Sequence, residues 1–133
     1  MIKNVRKNTD KIIQIAKKDK RIIAVALFGS YLKNKEYARD VDICLFLDKS
    51  YGNKEDSKIL FPFYEKIDTH IFDINIFHNL PIYIRSRILK ECKMIYTNRD
   101  KEDTLYDIAF STIQEFSSYA KLYYMYLENI KNG

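Results

Sequence analysis

The chain has little cysteine, glycine, proline and histidine, and no tryptophan. Its two cysteines, Cys44 and Cys92, are far apart in sequence. Such a pair makes neither a disulfide framework nor a zinc site. Cys44 lies inside an apolar run and reads as a small buried hydrophobe. His70 and His78 flank one expected strand but have no further ligands at metal-binding spacing. No apolar run approaches the ~20 residues of a membrane span, so no membrane association is expected. The opening MIKNVRKNTDK lacks the hydrophobic segment of a secretory signal, which makes the cytoplasm the expected location. Repeats, low-complexity linkers and signs of a second domain are also missing, so residues 1–133 read as one domain.

What is present has an ordinary globular balance, 47% hydrophobic against 31% charged, which excludes a disordered chain. Lys plus Arg number 23 against 18 for Asp plus Glu, a formal net charge of +5. That sign suits a polyanionic partner, but the lysines are scattered and form no single-faced stripe. Solubility is the simpler account, and nucleic acid is not the expected partner.

Apolar spacing divides the chain into alternating elements. Residues 2–19, with Ile2, Val5, Ile12, Ile13, Ile15 and Ala16 among charges, have a helical period. IIAVALF (22–28) and VDICLFL (41–47) read as buried strands. Gly29 ends the first strand, and Ser30 is a good N-cap for a short helix over 31–37. The polar run 49–56, with Gly52 and Asn53, reads as a loop. A helix at about 56–67 carries Pro62 in its middle, so it is expected to start late or to kink. In THIFDINIF (69–77), Phe72, Ile74 and Ile76 share one face, and Asp73 and Asn75 share the other. Pro81 opens a helix through Lys90, and 93–97 make a short edge strand. Asp100 or Asp103 caps a last helix reaching about Asn129. The order predicts an α/β (α+β) domain, a small mixed central sheet covered by helices.

The chemistry concentrates in 28-FGSYLKNKEYARDVDICLFLD-48. Asp40 and Asp42 are two positions apart at the mouth of a strand, so on extended chain their side chains point the same way. Asp73 sits among Ile and Phe on the next expected strand and joins them if the two strands are neighbours. Clustered carboxylates cannot all stay ionised cheaply without a counter-charge. A divalent cation supplies one, and oxygen-only ligands favour Mg²⁺ or Mn²⁺ over zinc. Gly29 leaves room for a phosphate to approach the backbone, and Ser30 would cap a helix whose first amides suit an anion. Each feature alone is ordinary. Four specified residues at one spacing, however, arise by chance in roughly one chain in a thousand of this size.

This layout, Gly29-Ser30, nine residues, Asp40-Val41-Asp42 and then Asp73, resembles the minimal nucleotidyltransferases (MNT) of the DNA polymerase β superfamily. The likeness covers a motif core of about residues 21–96. The run 84–116 is more loosely similar to the C-terminal half of MNT-type antitoxins, which pair with HEPN toxins. The resemblance implies a nucleotidyltransferase-like fold with a long C-terminal helix at about 100–129. It implies that Asp40 and Asp42 hold two Mg²⁺ ions. Asp73 would hold the metal at the acceptor hydroxyl and help deprotonate it, and Gly29 and Ser30 would hold the β- and γ-phosphates. AMP would pass from ATP to a hydroxyl, a tyrosine of a HEPN-type toxin, and silence that partner. Many relatives carry a small polar residue before the acid pair, where Arg39 stands here. Arg39 either grips phosphate with its fork or neutralises Asp40.

Three matters stay open from sequence. The protein could act by docking alone, or on a small molecule or RNA end, and a homo-oligomer is compatible with either. Arg85, Arg87 and Lys90 read as a solvated helix face. On the last helix, Leu105, Ala109, Phe116, Ala120, Tyr123, Leu127 and Ile130 keep a three-four spacing that should pack on the sheet or a neighbouring helix. Tyr106, Phe110, Tyr119, Tyr124 and Tyr126 widen that apolar surface beyond one stripe, as at a partner surface.

Overall fold

The computed structural model describes residues 5–36, 38–49 and 53–132. Ile2, Tyr37 and Gly52, each part of an expected helix or loop, lie outside the described residues. The elements follow the expected order: α1 (Val5–Lys18), β1 (Ile22–Phe28), α2 (Ser30–Lys33), β2 (Val41–Leu47), α3 (Asp56–Lys66), β3 (Phe72–Ile76), α4 (Ile82–Glu91), β4 (Lys93–Thr97) and α5 (Glu102–Asn132).

The sheet is mixed, in the order β3-β2-β1-β4. β1 runs antiparallel to both β2 and β4, and β2 runs parallel to β3. Parallel neighbours need a crossover, and α3 supplies it. The two central strands are covered on both faces, so their sequences are almost continuously apolar. On one face Ile12 and Ala16 of α1 and Ile59 and Phe63 of α3 pack on Val25, Ile43 and Leu45. On the other, Ile88 of α4 and Leu105 and Ile108 of α5 pack on Cys44, Phe46 and Phe77. The Phe46 and Phe77 rings stack with centroids 4.5 Å apart. A register shift between Ile22 and Ala24 inserts one extra residue into β1. That bulge turns Ile23 and Ala24 to the same face.

Pro62 neither delays nor ends α3, which runs unbroken from Asp56 to Lys66. A proline inside a helix costs about 3 kcal/mol. Its neighbours on the buried face, Ile59 and Phe63, are both fully buried. At about 1.5–3 kcal/mol per buried large side chain, they offset the lost bond.

Two helix ends differ from the sequence reading. Pro81 stands as the N-cap of α4 rather than inside it. Before α5 a 3₁₀ turn spans Arg99–Lys101 and is capped by Asn98, whose side chain accepts from the Asp100 amide, not by Asp100 or Asp103. With 31 residues at about 1.5 Å each, α5 is far longer than the sheet is wide. Its first half packs through Leu105, as expected, and through Ile108 and the buried Thr112, which the expected stripe left out; the Thr112 hydroxyl donates to the Ile108 carbonyl at 2.7 Å. From Lys121 to Asn132 every residue is exposed, so Tyr123, Leu127 and Ile130 pack on neither the sheet nor a helix. Among the described residues no helix is long and apolar enough to cross a membrane.

The two phenylalanines flanking Pro62 separate burial from composition. Phe63 is fully buried and Phe61 is 61% exposed. Phe63→Ala is expected to lower unfolding free energy by about 3–5 kcal/mol, and Phe61→Ala by less than about 0.5 kcal/mol. Urea titrations of the two variants check this.

Candidate active site

The site forms where three strand ends meet. β2 and β3 run parallel with Asp42 opposite Asp73, and β1 and β2 run antiparallel with Phe28 opposite Asp42. The two acids are therefore side-by-side neighbours in the sheet. Gly29, the residue after Phe28, lies against the same carboxylate. Period two puts Asp42 on the face of Cys44 and Phe46, the face that α4 and α5 cover farther along.

Gly29 is demanded twice over. Its φ is +84°, in the region that disfavours residues with a side chain. A Cβ built there would collide with the Asp42 carboxylate. Sequence reasoning kept this space for a phosphate; within the folded chain it is the Asp42 side chain that uses it.

Asp42 is half-buried, and its carboxyl is pushed above the ordinary carboxylate range. Burial is the main cause, followed by the charges of Asp73 and Asp40 and a hydrogen bond with Asp73. Asp73 is exposed, and Asn75 donates to its Oδ2 at 3.2 Å. Asn75 also reaches the Ile43 carbonyl at 3.4 Å, so it ties the Asp73 side chain to β2. Period-two spacing had placed Asn75 on this face without giving it that task.

Several expectations shift position. Asp73 is second in β3 rather than mid-strand. Asp68 folds residues 68–72 into a turn, its carbonyl accepting from Ile71 and Phe72 and its side chain from the His70 amide. Asp40 is exposed and precedes β2, so only its charge, not strand geometry, ties it to Asp42. Ser30 is not the N-cap of α2. Gly29 holds that place, without any side-chain cap bond. The helix ends at Lys33 instead of residue 37, and one turn has too few aligned peptides for a useful macrodipole. Arg39 is exposed and makes no ion pair with Asp40 among the described residues.

Among the described residues no group of three His, Cys, Asp or Glu side chains is arranged to hold a metal ion. What the chain brings together is one carboxylate pair, Asp42 with Asp73, and a third acid, Asp40, one step outside it. His78 lies 3.8 Å from Asp56 at the start of α3 and belongs to that end of the molecule. The helix face expected to be solvated is not uniform. Arg85 grips Glu115 with two bonds of 3.1 Å and the Leu80 carbonyl at 2.9 Å, joining α4 to α5. Arg87 lines a cavity next to Gly29 and Ser30.

Two variants test this geometry. Gly29→Ala faces both the backbone penalty and the carboxylate, and is expected to cost about 1–3 kcal/mol. Ser30→Ala, at an exposed position, should cost less than about 0.5 kcal/mol by urea unfolding. Because the Asp42 carboxyl is raised above its unfolded value, the folded state favours its protonated form. The contribution of Asp42 to stability is then full in acid and is lost as pH climbs from the unfolded value through the raised one. Asp42→Asn removes that loss. Its melting temperature should match wild type near about pH 3 and exceed it near about pH 7. Equal melting at neutral pH would contradict the repulsion.

Comparison with known proteins bears on the family and the fold. The "Polymerase beta, Nucleotidyltransferase" family matches residues 10–102. The chain is 33% identical to the "Putative protein adenylyltransferase" of Methanocaldococcus jannaschii over 57% of each chain, and so spans little more than half of that relative's length. Its fold is similar to a chain in the solved complex of a tri-AMPylated Shewanella oneidensis HEPN toxin with an MNT antitoxin, at TM-score 0.64 and 15% identity over 94% of this chain and 97% of that one. A chain of a toxin–antitoxin complex with AMP-PNP superposes at TM-score 0.66 and 17% identity, over 92% and 98%. Since the matched segment takes in all three acids and the glycine that abuts them, this chain belongs to the polymerase beta nucleotidyltransferase family.

Proposed function

We propose that this chain is a protein adenylyltransferase, moving AMP from ATP to a tyrosine hydroxyl of a HEPN-type toxin and thereby silencing it in the cytoplasm. The observation that carries the reading is the like-charge pair Asp42–Asp73 held in register against Gly29. A fold does not keep two carboxylates together at a half-open strand end without a use for them.

The carboxylate pair Asp42–Asp73 suits a divalent cation by its chemistry, with Asp40 one step outside it. It is oxygen-only, and its half-buried member is strained by the charges beside it. Asp40, Asp42 and Asp73 would hold Mg²⁺, or Mn²⁺ in its place. When bound, such ions supply positive charge at the transferring phosphoryl group. The remaining roles fall to the chain. Gly29 and Ser30 would seat the β- and γ-phosphates, and Arg39, exposed next to Asp40, would be free to meet phosphate. Asp73, open to solvent, would take the proton of the acceptor hydroxyl. The acceptor oxygen then bonds to the α-phosphorus, the α–β anhydride bond breaks, and pyrophosphate leaves with the electron pair. Catalysis of this kind rests on positioning and electrostatics.

Protein as acceptor draws support from α5. Tyr119, Leu122, Tyr123, Tyr126, Leu127 and Ile130 are all exposed. Their three-four spacing continues the stripe that Leu105 and Ile108 bury. A stripe that outruns its own domain is an interaction surface. The names of the relatives point the same way, to a protein adenylyltransferase and to an antitoxin beside an AMPylated toxin. The described residues would act as one nucleotidyltransferase unit with α5 as its docking arm.

The test is incubation with Mg²⁺, ATP labelled on the α-phosphate, and a HEPN-type toxin protein. Label should enter that protein as pyrophosphate is released. Asp42→Ala and Asp73→Ala should each reduce labelling at least about 100-fold. Undiminished labelling by Asp42→Ala would end the catalytic reading. Label entering RNA ends or small molecules instead would replace the acceptor.

A further inference from the structure

Beyond the acids, on the same face of the sheet, a cavity of about 270 Å³ opens between the end of β1, α2 and α4. Gly29 and Ser30 form one edge, and Lys33, Arg87, Ile88 and Glu91 form the rest with Phe28 and Ile84. We infer that Arg87, which lines this cavity together with Gly29 and Ser30, is the cationic contact of the pyrophosphate limb. The inference rests on the nucleotidyl-transfer reading above, which already seats the β- and γ-phosphates at Gly29 and Ser30, and adds Arg87 to that seat.

Three observations carry it. The first is order in space. The strand sequence β3-β2-β1-β4 puts the acids on β3 and β2 and Gly29 at the end of β1, with α4 leading into β4. A nucleotide whose reacting phosphorus sits at the acids therefore reaches the cavity across Gly29 with one of its two limbs.

The second is charge. Lys33 Nζ lies 3.4 Å from Glu91 Oε2, so those two largely cancel. Arg87 makes no ion pair or hydrogen bond among the described residues, in contrast to Arg85 two positions before it. The cavity thus carries one uncompensated cation. Of the two limbs, the diphosphate is the one that gains from it. A guanidinium fork also matches phosphate oxygens bidentately. Phe28, Ile84 and Ile88 make part of the wall apolar, which strengthens the contact on that side.

The third is size. Pockets that take a whole drug-sized ligand run to about 300–1,000 Å³, and this one is smaller. It suits one limb of ATP rather than the whole molecule.

The experiment is titration calorimetry of the full chain with inorganic pyrophosphate and, separately, AMP, both in Mg²⁺, alongside the AMP-transfer assay. Arg87→Ala should weaken pyrophosphate about tenfold, leave AMP affinity unchanged and raise KM for ATP. Arg87→Lys should recover part of the pyrophosphate affinity as a point charge without the fork. Glu91→Gln, which releases Lys33, should tighten pyrophosphate. Unchanged pyrophosphate affinity in Arg87→Ala, with transfer intact in the wild type, would overturn this inference alone. Loss of AMP affinity in place of pyrophosphate affinity would show that the cavity holds the nucleoside limb, and overturn it too. A wild-type chain that transfers no AMP would overturn the activity on which it rests.

Discussion

Two carboxylates side by side across a parallel strand pair repel, and the rest of this structure is arranged so that they stay there. Asp42 and Asp73 sit in register because β2 and β3 are locked together farther along by Ile43, Leu45, Ile74 and Ile76. Those residues have no freedom to slide, since a one-residue slip would turn each to the wrong face. Burial raises the Asp42 carboxyl, and the charges of Asp73 and Asp40 raise it further. A cost of this kind is borne by a core with helices on both sides of the sheet.

The same principle orders the surroundings. Gly29 lacks a side chain because the Asp42 carboxylate takes the space beside it. Asn75 donates to Asp73 and steadies the more exposed acid. Positive charge is kept to the other side of Gly29, where Arg87 and the Lys33–Glu91 pair line the cavity. The site is thus polarised across one glycine, with acids on β2 and β3 and, among the described residues of the cavity, the unpaired cation Arg87 on α4. Away from the site, α5 serves two purposes in one stripe. Its first half closes the second core, and Arg85–Glu115 bonds it to α4. Its second half leaves Tyr123, Tyr124 and Tyr126 exposed.

Much of the fold was legible because its signals are local. The double-sided apolar runs of β1 and β2 declared buried strands, and period two in FDINI put Asp73 and Asn75 opposite the core-facing Phe72 and Ile74. The stripe on α5 was legible only in part: Leu105 packs, but Ile108 and Thr112 do the rest, and Tyr123, Leu127 and Ile130 stay exposed. Other features were not legible, each for a stated reason. Pro62 looked like a helix breaker, because local sequence does not show that Ile59 and Phe63 are both buried around it. Ser30 looked like a cap, because only the folded backbone places Gly29 at positive φ and makes it the cap. Arg85 and Arg87 looked alike two positions apart, yet one reaches Glu115 across to α5 and the other lines the cavity.

What the sequence determined by itself is the inventory: which segments are strands and helices, which face of each strand carries its acids, and that Gly29, Asp40 and Asp42 crowd one short stretch. Periodicity and residue type settle these matters, since each depends on neighbours within a few positions. Which strands lie next to each other was decided only by tertiary structure, and with it the pairing of Asp42 with Asp73, the point where α5 leaves its support, and the company each arginine keeps. Those depend on residues some thirty positions apart meeting through packing, and no local pattern encodes the partner across that distance.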